Sequence, residues 1–334
     1  MIKTKATTLL ILFSFVGFHY CAEDPNTGNE TDLGFARLPE TSFRVLSWNV
    51  NRDSFARHPE QFRAVMSAVN PDIFLLDEVT ENSSAREVVE VLMELNGPAD
   101  TLWNVSFGAA GEYQRSIIAS RFPVQQVPEF RWIAFPHEQI KRFTAMVEAK
   151  RRTRLLKNLE GGVAANAAVV KVDGKQVFNI VVDFQCCGDD GTWEDQRREF
   201  EAKMVHEATS KALSRLEVDG VILSGDLNLV GTSTPLRILQ QPLPSNYGSL
   251  EVVGAKHLDG KTKWTWDGRG TEFPNGKLDF ALYNANQLEV LRSFVFDTET
   301  MPPTMREKYG FEFGLSRTLS DHRPIVVDYR WKSR

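Results

Sequence analysis

Ser320-Asp321-His322-Arg323-Pro324 stands directly before the apolar run Ile325-Val326-Val327, and Gly225-Asp226-Leu227-Asn228 closely follows Val221-Ile222-Leu223. Short apolar runs bounded by polar turn residues read as buried strands. The two motifs therefore set an Asp, an Asn, a second Asp and a His at the ends of buried strands, where α/β proteins build their sites. The chain upstream supports that class. Phe43 to Trp48 reads as a strand, and Pro59 to Val69 as a helix with Phe62, Val65, Met66 and Val69 on one face. Asn70-Pro71 stops it. Asp72 to Leu76 is a second strand, and Ser84 to Leu95 a second helix closed by Asn96-Gly97-Pro98. Strand, helix, strand, helix opens an α/β domain.

Further along, Ser116 to Ala119 reads as a strand, and Ala167 to Val172 with Gln176 to Phe184 as a hairpin around Asp173-Gly174. Trp193 to Leu216 reads as a long helix with Phe200, Met204, Ala208 and Ala212 on one face. Lys277 to Tyr283, Leu288 to Phe294 and Arg323 to Tyr329 are later strands. Residues 124–160 show no clear period and hold the basic run Lys150 to Lys157, which reads first as a solvated face and second as an arm for a polyanion. No linker divides residues 43–331, so residues 43–334 are expected to form one domain.

With 42% hydrophobic and 25% charged residues in 334, the chain can bury a sizeable core. A net charge of -5 offers no global attraction for nucleic acid, so any polyanion must meet a local strip. Lys3 and Lys5 ahead of the apolar run Leu9 to Phe18 read as a signal peptide over residues 1–21, followed by a flexible polar tether over 22–42. Secretion is the expectation. A lipoprotein anchored at Cys21 is the alternative, although Tyr20 stands where such signals want a small residue, and only in that case is a membrane a partner. Cys186 and Cys187 are adjacent. Neighbouring Cα atoms lie about 3.8 Å apart, below the usual ~4.4–6.8 Å of a disulfide, so a bridge is strained and two thiols are expected. His19, His58, His137, His206 and His257 read as surface or loop residues.

Asn49, Glu78, Gln185, Asp226 with Asn228, Asp279, and Asp321 with His322 all stand at strand ends or just beyond. Carboxylates and amide oxygens are hard ligands suited to Mg²⁺, Mn²⁺ or Ca²⁺. Phosphoester hydrolysis needs these parts: a cation at the phosphate, a base for water, and donors for developing charge. His322 is the natural base, with Asp279 to orient it. Taken singly, several positions have an ordinary structural reading. Asn49 can close a turn, and Asp226 to Asn228 a tight βα turn. Asp279 resists one, because it interrupts Leu278-Asp279-Phe280-Ala281-Leu282 and a buried carboxylate needs a partner.

The order of blocks resembles the endonuclease/exonuclease/phosphatase superfamily, with the DNase I-like fold. The blocks are Ser47-Trp48-Asn49-Val50, Leu75-Leu76-Asp77-Glu78-Val79, Ile118 to Pro123, Ile180 to Gln185, Gly225 to Asn228, Lys277 to Leu282, and Ser320 to Pro324. The resemblance implies a four-layered α/β sandwich: two mixed sheets face to face, helices outside, and the site at the sheets' edge. It also implies Glu78 as the main metal carboxylate, with Asn49 and Asp321 beside it. Asp226 and Asn228 would position water and phosphate, and His322, oriented by Asp279, would act as base or phosphate contact. Arg115 is a further phosphate contact to consider.

One block departs from the pattern. Many relatives end the Ile180 to Phe184 strand with a His, and here Gln185 stands there. A glutamine amide donates a hydrogen bond but transfers no proton. The expectation is a monomeric, Mg²⁺-dependent phosphodiesterase with nucleic acid as first substrate and no obligate protein partner. A phosphomonoesterase, a sphingomyelinase-type enzyme, and a phosphate-binding member without turnover remain alternatives.

Overall fold

The computed structural model describes residues 34–333 apart from 53, 81–84, 94–102, 112 and 245. The expected signal peptide, Cys21 and the first part of the tether lie outside the described residues. In chain order the elements are β1 (Phe43–Asn49), α1 (Ser54–Arg57), α2 (Pro59–Val69), β2 (Ile73–Thr80), α3 (Ala85–Met93), β3 (Asn104–Phe107), β4 (Gln114–Ser120), β5 (Val124–Gln126), α4 (His137–Met146) and α5 (Ala149–Glu160). There follow β6 (Ala165–Val172), β7 (Lys175–Asp183), α6 (Trp193–Leu213), β8 (Gly220–Asp226), α7 (Thr234–Leu239), β9 (Leu250–Val252), β10 (Asp279–Asn284), β11 (Leu288–Val295), α8 (Pro303–Lys308), α9 (Leu315–Leu319) and β12 (Ile325–Trp331).

Two six-stranded sheets result, in the orders β11-β12-β1-β2-β4-β3 and β5-β6-β7-β8-β10-β9. Both are mixed. Each is centred on one parallel pair, β1 with β2 and β7 with β8. A parallel pair needs a crossover, which α2 supplies in one sheet and α6 in the other. Alternation along the strands builds the layers. Phe43, Val45, Ile73, Leu75 and Ile118 of the first sheet meet Val170, Val177, Val181 and Ile222 of the second in a buried seam. Leu46, Trp48, Phe74 and Leu76 face outward onto α2 and α9. Phe178, Ile180, Val221 and Leu223 face outward onto α4, α5, α6 and α7. This is the four-layered sandwich expected.

Local chemistry explains the element ends. Asn70 caps α2 in the left-handed region, φ 50, with its N–H on the Met66 carbonyl. Asn tolerates that conformation, and Pro71 forbids continuation.

Four expectations need correction. The tether does not extend to residue 42: Phe35 is 3% exposed and packs on Phe294, Phe296, Tyr309 and Phe311. A lone aromatic in a polar stretch carries no periodicity to reveal it. The buried face of α6 is wider than expected: Phe200, Met204, Ala208 and Ala212 all pack on the core, and Arg198, Glu201, Ala202, Val205 and Thr209 are buried beside them. Charged side chains that are buried because they serve the site blur the apolar stripe. Residues 124–160 contain β5, α4 and α5. His257 is not at the surface. It is 2% exposed, with Nδ1 bonded to Thr300 Oγ1 at 2.8 Å and Nε2 to the Trp264 carbonyl at 2.7 Å.

Arg44 ties the first sheet to its surroundings. Fully buried on β1, it donates to both oxygens of Asp328 on β12 at 2.5 and 2.7 Å, and to the carbonyls of Phe35 and Val69. Removing one partner of a buried pair strands the other charge. Asp328→Ala is therefore expected to lower the unfolding free energy in urea by about 3–5 kcal/mol, with Arg44→Met/Asp328→Leu recovering part of the loss.

Candidate active site

At one end, the seam between the sheets stops being apolar. On β2 the inward positions run Ile73, Leu75, Asp77, and on β7 they run Val177, Asn179, Val181, Asp183. On β8 they run Ile222, Ser224, Asp226, and β10 begins at Asp279. Strand register brings these residues level. Asn49 pairs with Asp77, Asp183 with Asp226, and Asp226 with Asp279. The carboxyl ends of both parallel pairs thus meet at one sheet edge.

His322 enters there from the loop before β12. Its Nδ1 is 2.8 Å from Asp279 Oδ2, and its Nε2 is 3.7 Å from Asp226 Oδ2. The loop is fixed by backbone contacts: His322 N–H donates to Ser320 Oγ, and Trp48 Nε1 donates to the His322 carbonyl. Burial pulls the His322 pKa down. Asp279 and Asp226, the hydrogen bond to Asp279, and Asp321 outweigh it and hold His322 well above the ordinary histidine value. Burial and Asp279 raise Asp226 to about 7, against His322 and the Asn228 N–H. Ligand atoms of Asp226, Asp279 and His322 all lie within 4.8 Å of one another.

Glu78 sits on a β-bulge between Leu76 and Val79, with φ 54. The extra residue breaks the two-residue alternation, so Glu78 and Asp77 both serve this edge. Asn49, fully buried, donates through Nδ2 to Glu78 Oε1 at 3.1 Å and to Asp226 Oδ2 at 3.3 Å, linking the two sheets. Asp321 accepts from Asn51 Nδ2 at 2.9 Å and from Trp266 Nε1 at 3.1 Å.

Gly225 has φ 134, and a Cβ there would lie 2.0 Å from the Val182 carbonyl oxygen. Only glycine lets β8 pass β7 this closely before Asp226. Asn228, φ 48, donates from Nδ2 to the Phe184 carbonyl, and its N–H caps Asp226 Oδ1 at 2.9 Å. Gln185 follows β7. Its N–H donates to Glu201 Oε2 at 2.8 Å and its side-chain amide to the Cys186 carbonyl at 2.9 Å. Arg115, at the start of β4 beside Val79, donates to the carbonyls of Gly111 and Gln114 in its own loop.

The structure thus brings Asn49, Glu78, Asp226, Asn228, Asp279, Asp321 and His322 together at one edge, with Gln185 at its rim and Arg115 turned to its own loop. Two members had no role assigned from the sequence. Asp77 is fully buried, and neither carboxylate oxygen has a hydrogen-bond partner. Burial, then Asp183, Asp279 and Asp226, raise its pKa well above the carboxylate range. Asp183 is raised by burial, Glu78 and Asp226. The period-two pattern of both strands was the available signal. The pair Asp267–Arg323 was missed for want of any local signal. Arg323 donates to Asp267 Oδ2 at 2.9 Å and to the Ser320 carbonyl at 2.8 Å, bracing the His322 loop.

Hard oxygen donors, crowded and incompletely hydrogen-bonded, fit a divalent cation. Among the described residues, Asp226, Asp279 and His322 have ligand atoms close enough to share an ion, while Asn49 Oδ1 accepts from the Asn51 N–H and both Asp321 oxygens accept hydrogen bonds.

The sequence profile described as the Endonuclease/Exonuclease/phosphatase family matches residues 46–322. No curated protein matches the chain. Among solved structures, an endonuclease/exonuclease/phosphatase from Bacteroides vulgatus is similar with TM-score 0.54 at 12% identity, over 87% of this chain and 99% of that one. Truncated Caenorhabditis elegans TDP2 is similar with TM-score 0.53 at 16% identity, over 87% and 97%. The 3′ phosphatase NExo from Neisseria, bound to a product DNA hairpin, is similar with TM-score 0.50 at 16% identity, over 86% and 100%. At these identities the likeness to solved structures is one of fold. With the profile spanning β1 through the His322 loop, the chain belongs to the Endonuclease/Exonuclease/phosphatase family.

Proposed function

We propose that this chain is a divalent-metal-dependent phosphodiesterase whose first substrate class is nucleic acid. The observation that carries the reading is the His322–Asp279 contact of 2.8 Å, set beside Asp226 at a sheet edge rich in hard donors. A Mg²⁺ or Mn²⁺ ion held by Glu78 with Asn49 and Asp321 would supply charge neutralisation at the phosphate and at the surrounding carboxylates.

The chain's own residues would do the rest. Asp279 accepts from His322 Nδ1 and turns Nε2 toward the reaction space. The 3.7 Å between Nε2 and Asp226 is too long for a direct hydrogen bond. Both atoms therefore remain available to a water set beside them. While carboxylate charge dominates, His322 is an imidazolium that donates to a phosphate oxygen. Once that charge is offset, Nε2 can take the proton of the attacking water. Asn228 and Asp226 limit where the water and phosphate sit. Gln185 contributes a donor and no proton, so good leaving groups are favoured.

Support for a polyanionic substrate comes from α5. Lys150, Arg151, Arg152 and Arg154 are all exposed there, and Lys157 Nζ lies 4.7 Å from the exposed Tyr113 ring, close to the start of β4. Cations interleaved with an aromatic suit a phosphate backbone and stacked bases. The Neisseria relative was solved with a DNA hairpin. A second reading, a member that binds phosphate without turnover, is favoured by Gln185, whose amide is engaged by the Cys186 carbonyl. Export follows from the Lys3–Phe18 segment, and N-terminal sequencing of the mature protein for cleavage near residue 21 checks it.

Hydrolysis of bis-p-nitrophenyl phosphate with Mg²⁺ or Mn²⁺ tests the assignment. His322→Ala is expected to lower kcat by roughly 10²–10⁴-fold, and activity surviving in both His322→Ala and Glu78→Ala overturns it. Calorimetry showing Mg²⁺ binding with no turnover across a panel of phosphoesters selects the second reading.

A triple reversal, Lys150→Glu/Arg151→Glu/Arg154→Glu, is expected to weaken DNA cleavage and flatten its salt dependence while leaving the small diester rate unchanged.

Stability should also follow pH in chelator-treated protein. Asp226 and His322 both have folded pKa values above their unfolded ones, about 3.9 and about 6.5. Their contribution is full below those unfolded values and is lost as pH rises through the folded ones. The unfolding free energy without metal should therefore fall between about pH 5 and pH 8, by on the order of a few kcal/mol, and the melting temperature with it. Mg²⁺ should reduce the drop, and a flat profile in calorimetry would count against the crowded-carboxylate description.

A further inference from the structure

Gln185 is followed by Cys186 and Cys187 at the rim of the site, both thiols free and exposed. Their Sγ atoms lie 2.9 Å apart and share one hydrogen bond. Side chains of adjacent residues in an extended strand point to opposite faces. Here Cys187 takes φ 68 and Gly188 φ 74, which folds the chain back and sets both sulfurs on one side. A non-glycine residue at positive φ stores strain and marks places where geometry serves a purpose.

The segment is held rigidly from below. Arg198, fully buried on α6, donates to the carbonyls of Gln185 at 2.9 Å and Cys187 at 2.5 Å. Glu201 holds the Gln185 N–H, and Asp195, paired with Arg198, accepts from Gly191 and Thr232. The thiols are thus presented on a fixed platform. Gln185 Nε2, 3.8 Å from Cys186 Sγ, is coupled to them directly.

We propose that Cys186 and Cys187 are a modification site, a thiol pair that a small-molecule disulfide of the glutathione class oxidises reversibly to a vicinal disulfide. The Cys187 thiolate attacks one sulfur of the small disulfide and expels a thiolate. Cys186 then attacks Cys187 Sγ, its proton goes to the departing thiolate, and the second small thiol leaves. Two electrons pass from the protein pair to the small disulfide, which ends as two thiols. The shared hydrogen bond, assisted by Arg198, lowers Cys187 to about 6, and the same bond raises Cys186, so the roles of attacker and resolver differ. Closure draws the sulfurs from 2.9 Å to about 2.0 Å. Adjacent Cα atoms are too close for relaxed geometry, and strained, exposed disulfides are readily reduced. Reversibility is built into the spacing.

The experiment treats the full-length protein with oxidised glutathione and maps peptides by mass. The tryptic peptide 176–197 is expected to lose two hydrogens and regain them with dithiothreitol, while Cys186→Ser and Cys187→Ser show no such loss. A persistent glutathione adduct on that peptide, an intermolecular cross-link, or unreacted thiols overturns the proposal. A second readout rests on the phosphodiesterase reading: hydrolysis should rise on oxidation, as the Cys186 peptide twists and releases the Gln185 amide to the phosphate, and fall back on reduction. An unchanged rate in oxidised protein overturns that coupling. A protein inactive in both states refutes the phosphodiesterase reading and leaves the mass result standing.

Discussion

Carboxylates forced to face one another between two sheets are the constraint around which this molecule is organised. Asp77, Asp183, Asp226 and Asp279 arrive at one edge because strand register leaves them nowhere else to go. Like charges 4 Å apart repel by about 4 kcal/mol even at an effective dielectric of 20. Such a cluster persists only where something else holds it together. The apolar seam from Phe43 to Ile325 supplies that cohesion. Asn49 donates into the cluster from one side and His322 from the other. The arrangement is cohesive at one end and electrostatically unsatisfied at the other, and chemistry can draw on the unsatisfied end.

Much of this was legible in the residues. The apolar runs around Val221 and Ile325 located strands, and the interrupted run at Asp279 announced a buried carboxylate with a partner. The partner proved to be His322 at 2.8 Å. The helix over residues 59–69 came out with its predicted face because its stripe is purely apolar. The face of α6 came out wider than its apolar stripe, because Arg198 and Glu201 are buried to hold the loop after β7, and a hydrophobicity pattern has no way to register a charge buried for service. Asp77 was passed over beside Glu78 because a bulge is invisible in sequence. Without it, one residue or the other should face away. Phe35, Trp266 and Asp267 depend on partners more than fifty residues distant, and no local pattern encodes such contacts.

Family membership and site geometry answer different questions. The match over residues 46–322 secures the architecture and the order of blocks. At the rim, Gln185 and the two thiols beside it are held in place by the buried Arg198 and Glu201.

The hydrogen bond from His322 to Asp279 crosses from one sheet to the other, as does that from Asn49 to Asp226. The edge therefore behaves as a vernier between two stacked plates. A slip of one sheet past the other by an ångström, too small to expose the core, would break both contacts together. Repacking at the far, apolar end of the seam, around Val172 or Tyr329, would be read out at the acidic end as a change of alignment. Substitutions that leave every polar residue in place can thus silence this site, and the mechanical stiffness of the seam sets how far the core is free to vary.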